Sequence, residues 1–368
     1  SGRIDAIECR ADRGGGGMVT GKFRVGVSAD FTTRAAGLLE PTLREIFDPL
    51  PWLEWEYFAQ DTRVVAPETI AGYDAVVSLS VRYPAETLAH AGRLAVIARW
   101  GVGYDTIDIP AATEHGVFVC ITPPAVRRPV AEGIMALLLA ITKRIPAKDR
   151  IVRTGVWEQI PQTMGVALAG RTLGTVGVGN IGADFLRLVK PFDLGRTLAA
   201  DPYVSPAQAA ALGVELVDLD TLLSESDFVC INCPLTKETF HLIGEAQLRR
   251  MKPTAFLVNT ARGPIIEQAA LVRALQENWI AGAALDVFEE EPLPLPHPLA
   301  ELDNVILAPH AIAWTDQMAR DNSAVACNNI LTVLKGEVPE YTVNRTAAER
   351  PVMREKLAAL RRRWETRE

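Results

Sequence analysis

The sequence predicts an α/β protein made of two domains, each built on a parallel sheet. Three observations indicate this fold class. Short apolar runs, partly β-branched, alternate with helix-compatible segments, as in βαβ units. A glycine-rich turn at residues 175–182 joins a strand-like run to an apolar-periodic segment. The length of 368 residues suffices for two ordinary domains with sizeable cores.

The first domain is predicted from strand-like runs in the N-terminal third of the chain. These runs are residues 23–29, 75–80, 94–99 and 117–121. A long apolar-periodic segment, residues 130–145, follows Pro123 and Pro124. We expect a hinge at these prolines, because consecutive prolines resist regular structure. The second domain is therefore expected to begin near residue 123.

A doubly wound sheet is predicted for the second domain. Its strand-like runs are residues 171–176, 197–200, 214–217, 228–231, 255–258, 281–285 and 305–307. Helical patterns such as residues 267–277 separate most of them. Residues 314–334 form a long predicted helix with no strand after it, so we expect this helix to return to the first domain.

The C-terminal stretch is a charged amphipathic helix candidate with Leu357, Leu360 and Trp364 on one face. It could dock on the body or on a partner subunit. The predicted boundaries are a flexible lead at residues 1–21, a first domain at 22–122 plus 314–345, a second domain at 123–313, and a C-terminal helical extension at 346–368.

Glycines in the turn have the spacing of a phosphate cradle. Gly177 would permit a tight turn, Gly179 would let the backbone approach a pyrophosphate, and Gly182 would let the helix pack against the strand. The amides of Asn180 and Ile181, at the positive end of the new helix dipole, would face the phosphates. This arrangement predicts a dinucleotide site.

An acid at the end of the next predicted strand indicates which dinucleotide binds. Asp201 follows Gly182 by about 20 residues, where a carboxylate suits a ribose diol. A carboxylate there would repel a 2′-phosphate, so the sequence favours NAD over NADP. In the alternative interpretation, Asp201 only caps the turn before Pro202.

Composition excludes several classes of function. The net charge of −7 and the pI of about 5.5 argue against a nucleic-acid surface. No apolar run approaches the roughly 20 residues needed to span a bilayer, and the first residues lack the apolar core of a signal peptide. The 5 cysteines fit a reducing cytoplasm, and Cys230 with Cys233 lacks the second pair of a metal site.

Polar segments follow three successive strand-like runs of the second domain. They are residues 259–263, 286–292 and 308–310. Ligands bind at the carboxyl ends of the strands in open α/β sheets. We therefore expect these segments to form one site.

With these segments the chain resembles the D-isomer-specific 2-hydroxyacid dehydrogenase family. The motifs that carry the resemblance lie in order at residues 99–105, 175–182, 232–239, 259–263, 286–292 and 309–310. The resemblance implies two Rossmann-like or flavodoxin-like domains with parallel sheets, a substrate domain and an NAD-binding domain, and an active site in the cleft between them. It also implies NAD-dependent hydride transfer between a D-2-hydroxy acid and its 2-keto acid.

The resemblance implies a catalytic set of Arg262, His310 and Glu291. An arginine fork can engage the adjacent carboxylate and carbonyl of a 2-keto acid. A histidine can exchange a proton with the carbonyl oxygen, and a carboxylate beside the ring stabilises its charged form. The other histidines, His90, His115, His241 and His297, are expected to be structural or superficial.

The resemblance also implies residues around the substrate and the cofactor. The amides of Val102 and Gly103 would bind the substrate carboxylate, and Arg82 with Tyr83 would face the substrate side chain. Trp100 and Trp314 could line the substrate or serve a core or interface. The cofactor would also contact Pro234, Thr239, Thr260, Ala261 and Asp286.

Two alternatives keep the same residues. A phosphite dehydrogenase retains the arginine, glutamate and histidine, and an NAD(H)-sensing transcriptional corepressor retains the fold. A formate dehydrogenase is disfavoured, because that branch replaces the acid at Glu291 by glutamine. The family is usually dimeric, and we expect a homodimer through residues 130–150 and their flanks, where Trp157 and Leu168 could be buried.

Overall fold

The computed structural model describes residues 21–367, so the predicted flexible lead lies, apart from Gly21, outside the described residues. The described chain contains two separate sheets, and the named strands of each sheet pair in parallel. Two α/β units with parallel sheets are the predicted fold class, which is confirmed.

The first sheet has the strand order β2-β1-β3-β4-β5, the flavodoxin-like order. Its strands are β1 (Phe23–Val27), β2 (Leu53–Tyr57), β3 (Ala75–Ser78), β4 (Val96–Arg99) and β5 (Phe118–Cys120). The edge strand β2 is not among the predicted runs, because charged residues alternate with its aromatic ones. The connecting helices are α1 (Asp30–Arg34), α2 (Glu40–Phe47), α3 (Pro67–Ile70), α4 (Ala85–Leu88) and α5 (Ile109–Glu114).

A long helix, α6 (Pro123–Thr142), leads from the first sheet to the second, and α7 (Ile145–Thr154) follows it. The expectation that Pro123 and Pro124 interrupt regular structure is wrong, and the hinge at this point stays a prediction. Both prolines lie in the first turn of α6, where a missing amide hydrogen costs no helical bond.

The second sheet has the order β12-β11-β10-β9-β6-β7-β8, which is the Rossmann order with one added strand. Its strands are β6 (Thr172–Val176), β7 (Arg196–Ala200), β8 (Glu215–Leu216), β9 (Phe228–Ile231), β10 (Phe256–Asn259), β11 (Gly282–Leu285) and β12 (Val305–Leu307). The helices between them are α8 (Asn180–Val189), α9 (Pro206–Leu212), α10 (Leu219–Glu225), α11 (Glu245–Arg250) and α12 (Gln268–Gln276). Strands β9, β10 and β11 are buried along their whole length, which is why continuous apolar runs predicted them.

The last two helices, α13 (Asp316–Leu334) and α14 (Pro351–Glu365), pack on the first sheet. Helix α13 therefore returns to that sheet as predicted. Leu360 of α14 is buried in the same core as Phe23, and Trp364 packs edge-on against Trp52 at 4.6 Å between ring centroids. Helix α14 docks on the body of its own chain. In the described chain no helix is both long enough and apolar enough to cross a bilayer.

Candidate functional site

The glycine-rich turn between β6 and α8 is shaped for an anion. Gly177 has a φ of 93°, and a Cβ there would lie 2.7 Å from the amide nitrogen of Cys233, so a side chain would not fit. Gly179, which precedes α8, has no described atom within 4 Å of an added Cβ. The space beside Gly179 is therefore open at the start of α8, and the turn fits a dinucleotide.

Asp201 lies at the end of β7 and contacts the glycine-rich turn. Its Oδ2 accepts a hydrogen bond from the Val178 amide at 2.8 Å, and its Oδ1 accepts one from the Tyr203 amide at 2.9 Å. An ionised carboxylate has about four lone-pair positions, so two further acceptor positions stay available for ribose hydroxyls. Asp201 thus both shapes the turn and fits the predicted NAD contact.

Another predicted cofactor segment follows β9. The hydroxyl of Thr239 donates to the carbonyl oxygen of Pro234 at 2.6 Å and accepts from the Thr236 amide at 2.7 Å, so this loop is held by its own side chains. After β10, Thr260 and Ala261 are half-buried. Both segments lie at the carboxyl edge of the second sheet.

Arg262 reaches from the second sheet to the loop that follows β4 in the first. Its Nε donates to Asp105 Oδ1 at 2.9 Å, and its Nη1 donates to the Ala261 carbonyl oxygen at 2.7 Å. A Cβ added to Gly103 would lie 1.3 Å from Arg262 Nη2, so the guanidinium lies directly on the Gly103 backbone. Arg262 therefore adjoins the predicted carboxylate loop of Val102 and Gly103.

The pKa of Asp105 is lowered in this environment, which favours the charged form of its carboxyl. Burial alone would raise the pKa of its carboxyl, but the charge and the hydrogen bond of Arg262, with a backbone hydrogen bond and the charge of Arg99, together lower that pKa. The ion pair is partly shielded, since Arg262 and Asp105 expose 22% and 35% of their side chains. Asp105 lies within a motif that predicted the family, but the sequence alone did not give it a partner.

His310 and Glu291 form a hydrogen-bonded pair. The His310 Nδ1 is 2.7 Å from Glu291 Oε2, and Glu291 Oε1 accepts from the Phe288 amide at 3.0 Å. Burial raises the pKa of Glu291, but the hydrogen bond and charge of His310, the hydrogen bond from the Phe288 amide and the charge of Arg262 together lower it below its ordinary value. The roles of Arg262, Glu291 and His310 in catalysis stay predictions.

The backbone of His310 has a φ of 55°, in the left-handed region that is uncommon for residues other than glycine. Asp286 holds the segment that follows. Its Oδ1 accepts from the amides of Ala311 at 3.0 Å and Ile312 at 3.2 Å, and its side chain is buried. The geometry therefore gives Asp286 a role in fixing the His310 turn, and its contact with the nicotinamide amide stays a prediction.

The residues expected around the substrate side chain differ in how exposed they are. Tyr83 is fully buried, so the expectation that it faces the substrate is wrong. Arg82 is exposed, and its backbone bonds to Arg63 and Val65; its role stays a prediction. Trp100 is buried, whereas Trp314 is half-buried and meets it edge-on at 5.8 Å.

Comparison with known families identifies a matching region. Residues 135–311 match the family described as "D-isomer specific 2-hydroxyacid dehydrogenase, NAD binding domain". This region contains the glycine-rich turn, Asp201, Arg262, Glu291 and His310.

Among curated proteins, the chain is similar to the glyoxylate reductase of Thermofilum pendens. The two are 45% identical over 283 residues, covering 76% of this chain and 84% of the relative. The glyoxylate reductase of Korarchaeum cryptofilum is 44% identical over 294 residues, covering 79% and 88%. The D-3-phosphoglycerate dehydrogenase of Archaeoglobus fulgidus is 40% identical over 278 residues, but these span 52% of that protein.

Among solved structures, the fold is similar to D-lactate dehydrogenases. The enzyme from Aquifex aeolicus, complexed with NAD and lactic acid, gives a TM-score of 0.76 at 26% identity, covering 87% of this chain and 99% of that one. The apo enzyme from Escherichia coli gives 0.72 at 29% identity, covering 87% and 100%.

Proposed function

Since this chain belongs to the D-isomer-specific 2-hydroxyacid dehydrogenase family, we propose that it reduces a small 2-keto acid, with glyoxylate the first candidate, by reversible hydride transfer from NADH. It is an NAD-dependent oxidoreductase of D-2-hydroxy acids. The choice of glyoxylate rests on the relatives at 45% and 44% identity, which are named glyoxylate reductases.

The observation that carries the mechanism is the His310–Glu291 pair beside Arg262. When Nδ1–H of His310 donates to Glu291, the imidazole tautomer is fixed and Nε2 is left to exchange a proton with the substrate oxygen. General acid catalysis of this kind typically supplies about 10²–10⁴-fold in rate. His310 is thus proposed as the acid in reduction and the base in oxidation.

Arg262 is proposed to hold the substrate. Its Nε and Nη1 are engaged by Asp105 and Ala261, while its Nη2 lies against Gly103. Because Nη2 lies directly on Gly103 here, a substrate carboxylate would reach Nη2 and the amides of Val102 and Gly103 only after Arg262 moves away from Gly103; it would then receive charge-assisted hydrogen bonds from both sides of the cleft. This contact fixes the C2 carbon relative to His310.

When bound, NAD would give or accept the hydride. The proposed cofactor contacts are the first amides of α8, at Asn180 and Ile181, for the phosphates and Asp201 for the ribose. Correspondingly, residues 123–313 are proposed as the NAD-binding domain, and residues 22–122 with 314–345 as the substrate domain. Residues 346–368 are proposed as an extension of the substrate domain.

A homodimer is proposed through α7 and the turn after it. Exposed apolar side chains are concentrated there: Ile145, Val152, Trp157, Ile160 and Met164. A second copy covering this surface would remove apolar area from water. Leu168 does not contribute, because it is buried in the core of its own chain.

The free cysteines Cys120, Cys230, Cys233 and Cys327 fit the proposed cytoplasmic location.

The test is NADH oxidation with a panel of 2-keto acids: glyoxylate, hydroxypyruvate, pyruvate, phenylpyruvate, 2-ketoglutarate and phosphohydroxypyruvate. The proposal predicts turnover that is fastest with glyoxylate or hydroxypyruvate and slower with NADPH. Tight NADH binding without turnover of any member would contradict it and favour phosphite oxidation or an NADH-sensing corepressor. Light scattering tests the dimer.

A further inference from the structure

We propose that His241, through its contact with Glu289, is a positioning residue that holds the segment carrying Glu291. This inference rests on the proposed function, since it assigns a role within the same site. His241 has no place in the catalytic set that the sequence predicted. The role is suggested by its position in one loop of the site and its contacts with two others.

The three loops follow neighbouring strands at the carboxyl edge of the second sheet. The loop at residues 232–241 follows β9 and contains two proposed cofactor contacts, Pro234 and Thr239. The loop at residues 260–265 follows β10 and contains Arg262. The loop at residues 286–292 follows β11 and contains Glu291.

His241 contacts both of the other loops. Its amide donates to the carbonyl oxygen of Pro264 at 2.8 Å, and its Nε2 is 2.8 Å from Glu289 Oε1. Its φ of 51° is in the left-handed region. A residue other than glycine keeps this conformation only where surrounding contacts require it, and such residues concentrate at functional sites.

Glu289 is two residues before Glu291, so a contact that holds Glu289 also restricts the position of Glu291. The amide of Phe288, the residue before Glu289, donates to Glu291 Oε1 at 3.0 Å, and the other oxygen of Glu291 meets His310. A Cβ at Gly263 would lie 1.9 Å from the Phe288 carbonyl, so the loop of Arg262 and the loop of Glu291 are in backbone contact. A shift of Phe288 would therefore disturb both catalytic loops.

Other hydrogen bonds also hold these loops in place. Backbone hydrogen bonds from Ile243 to Ile265 at 3.1 Å and from Glu267 to Ile243 at 3.0 Å tie the first two loops together without any side chain. Glu289 also exchanges two hydrogen bonds with Gln268, both at 3.1 Å, and Gln268 begins α12. Loss of the imidazole should therefore loosen the Glu291 segment without unfolding the domain.

The experiment measures kcat, KM for the preferred 2-keto acid, the NADH dissociation constant and Tm. The variants are His241→Ala, Glu289→Ala, the double variant and His241→Gln, whose amide nitrogen can replace the Nε2 donor. His90→Ala is the matched control, since His90 is an exposed histidine near α4 whose ring bonds only to the Glu86 carbonyl oxygen among the described residues.

We expect kcat to fall about tenfold in His241→Ala and in Glu289→Ala, because a small misplacement of a catalytic group is enough for such a loss. The double variant should be no slower than Glu289→Ala, because Glu289→Ala already removes the contact with His241 together with the bond from the Gln268 amide. His241→Gln should recover most of kcat. NADH affinity, Tm and the His90→Ala enzyme should stay near wild type.

Several results would overturn the inference: unchanged kcat in both single variants, additive losses in the double variant, or a loss confined to NADH affinity. If His241→Ala does not fold, Glu289→Ala and His241→Gln still decide the question. Failure of the proposed function is a separate outcome, since the wild-type enzyme would then turn over no 2-keto acid.

Discussion

Arg262 Nε donates a 2.9 Å hydrogen bond to Asp105 Oδ1, joining two residues that lie 157 positions apart in the sequence. Arg262 follows a strand of the second sheet, and Asp105 belongs to the loop after β4 of the first. The proposed substrate anchor is therefore oriented by a carboxylate from the opposite wall of the cleft. The bond also joins the two walls, so substrate binding and domain contact share one arginine.

Substitution Asp105→Asn should raise KM for the 2-keto acid by about tenfold, with a smaller change in kcat. The amide keeps the shape of Asp105 but loses the charge that holds the Arg262 fork in place. Steady-state kinetics measure the effect. Asp220→Asn removes a surface partner of Arg250 and is the matched control. An unchanged KM would show that Arg262 is oriented without Asp105.

Substitution Glu291→Gln should change the pH dependence of stability as well as lower kcat. The pKa of Glu291 is held below its ordinary value of 4.5, so its contact with His310 stabilises the folded state above that pH. This contribution is lost as the pH falls through the lowered folded-state pKa. Wild-type Tm should drop more steeply below about pH 4.5 than the Tm of the variant. Parallel curves would argue against a stabilising ion pair.

Asp201 is expected to select NAD over NADP. Asp201→Asn keeps an acceptor oxygen for one of the backbone amides and removes the charge that repels a 2′-phosphate. The ratio of kcat/KM for NADH over NADPH should fall by about tenfold or more. Asp201→Ala also removes the bond to Val178, so it should weaken both cofactors. An unaltered ratio in Asp201→Asn would remove the charge argument.

Lys356 attaches α14 to the first sheet. Its Nζ donates to the carbonyl oxygens of Leu94, His115 and Gly116 at 2.7, 2.8 and 3.0 Å. Burial lowers the pKa of Lys356 to about 8, and the carbonyl groups occupy its donors. Lys356→Met should reduce the free energy of unfolding by about 1–3 kcal/mol, because these acceptors lose their partner. Urea denaturation measures it, with Lys190→Met, at an exposed lysine that follows α8, as the control. Equal midpoints for Lys356→Met and wild type would contradict the expectation.

Most of the fold could be predicted from the sequence, because parallel strands buried on both faces leave continuous apolar runs. Strand β2 was not predicted, because its charged residues alternate with aromatic ones and leave no continuous apolar run. Pro123 and Pro124 were misinterpreted because a proline pair can begin a helix as well as interrupt one. Local patterns cannot separate these two cases.

The candidate site was predictable where residues lie within a motif and not where they meet across loops. Arg262, Glu291 and His310 each lie in a segment that follows a predicted strand, so the sheet brings the three segments to one edge. The contacts Arg262–Asp105 and His241–Glu289 join residues 157 and 48 positions apart. Such pairs depend on how loops cross above the sheet, which periodicity and spacing do not determine.

The most direct test of the central claim is the turnover of glyoxylate with NADH by the wild-type enzyme and by His310→Ala, measured beside NADH binding to each. The proposed acid–base role predicts a fall in kcat of about 10²–10⁴-fold with NADH affinity nearly unchanged. Near-normal turnover by His310→Ala would contradict the assignment of His310 and, with it, the proposed mechanism.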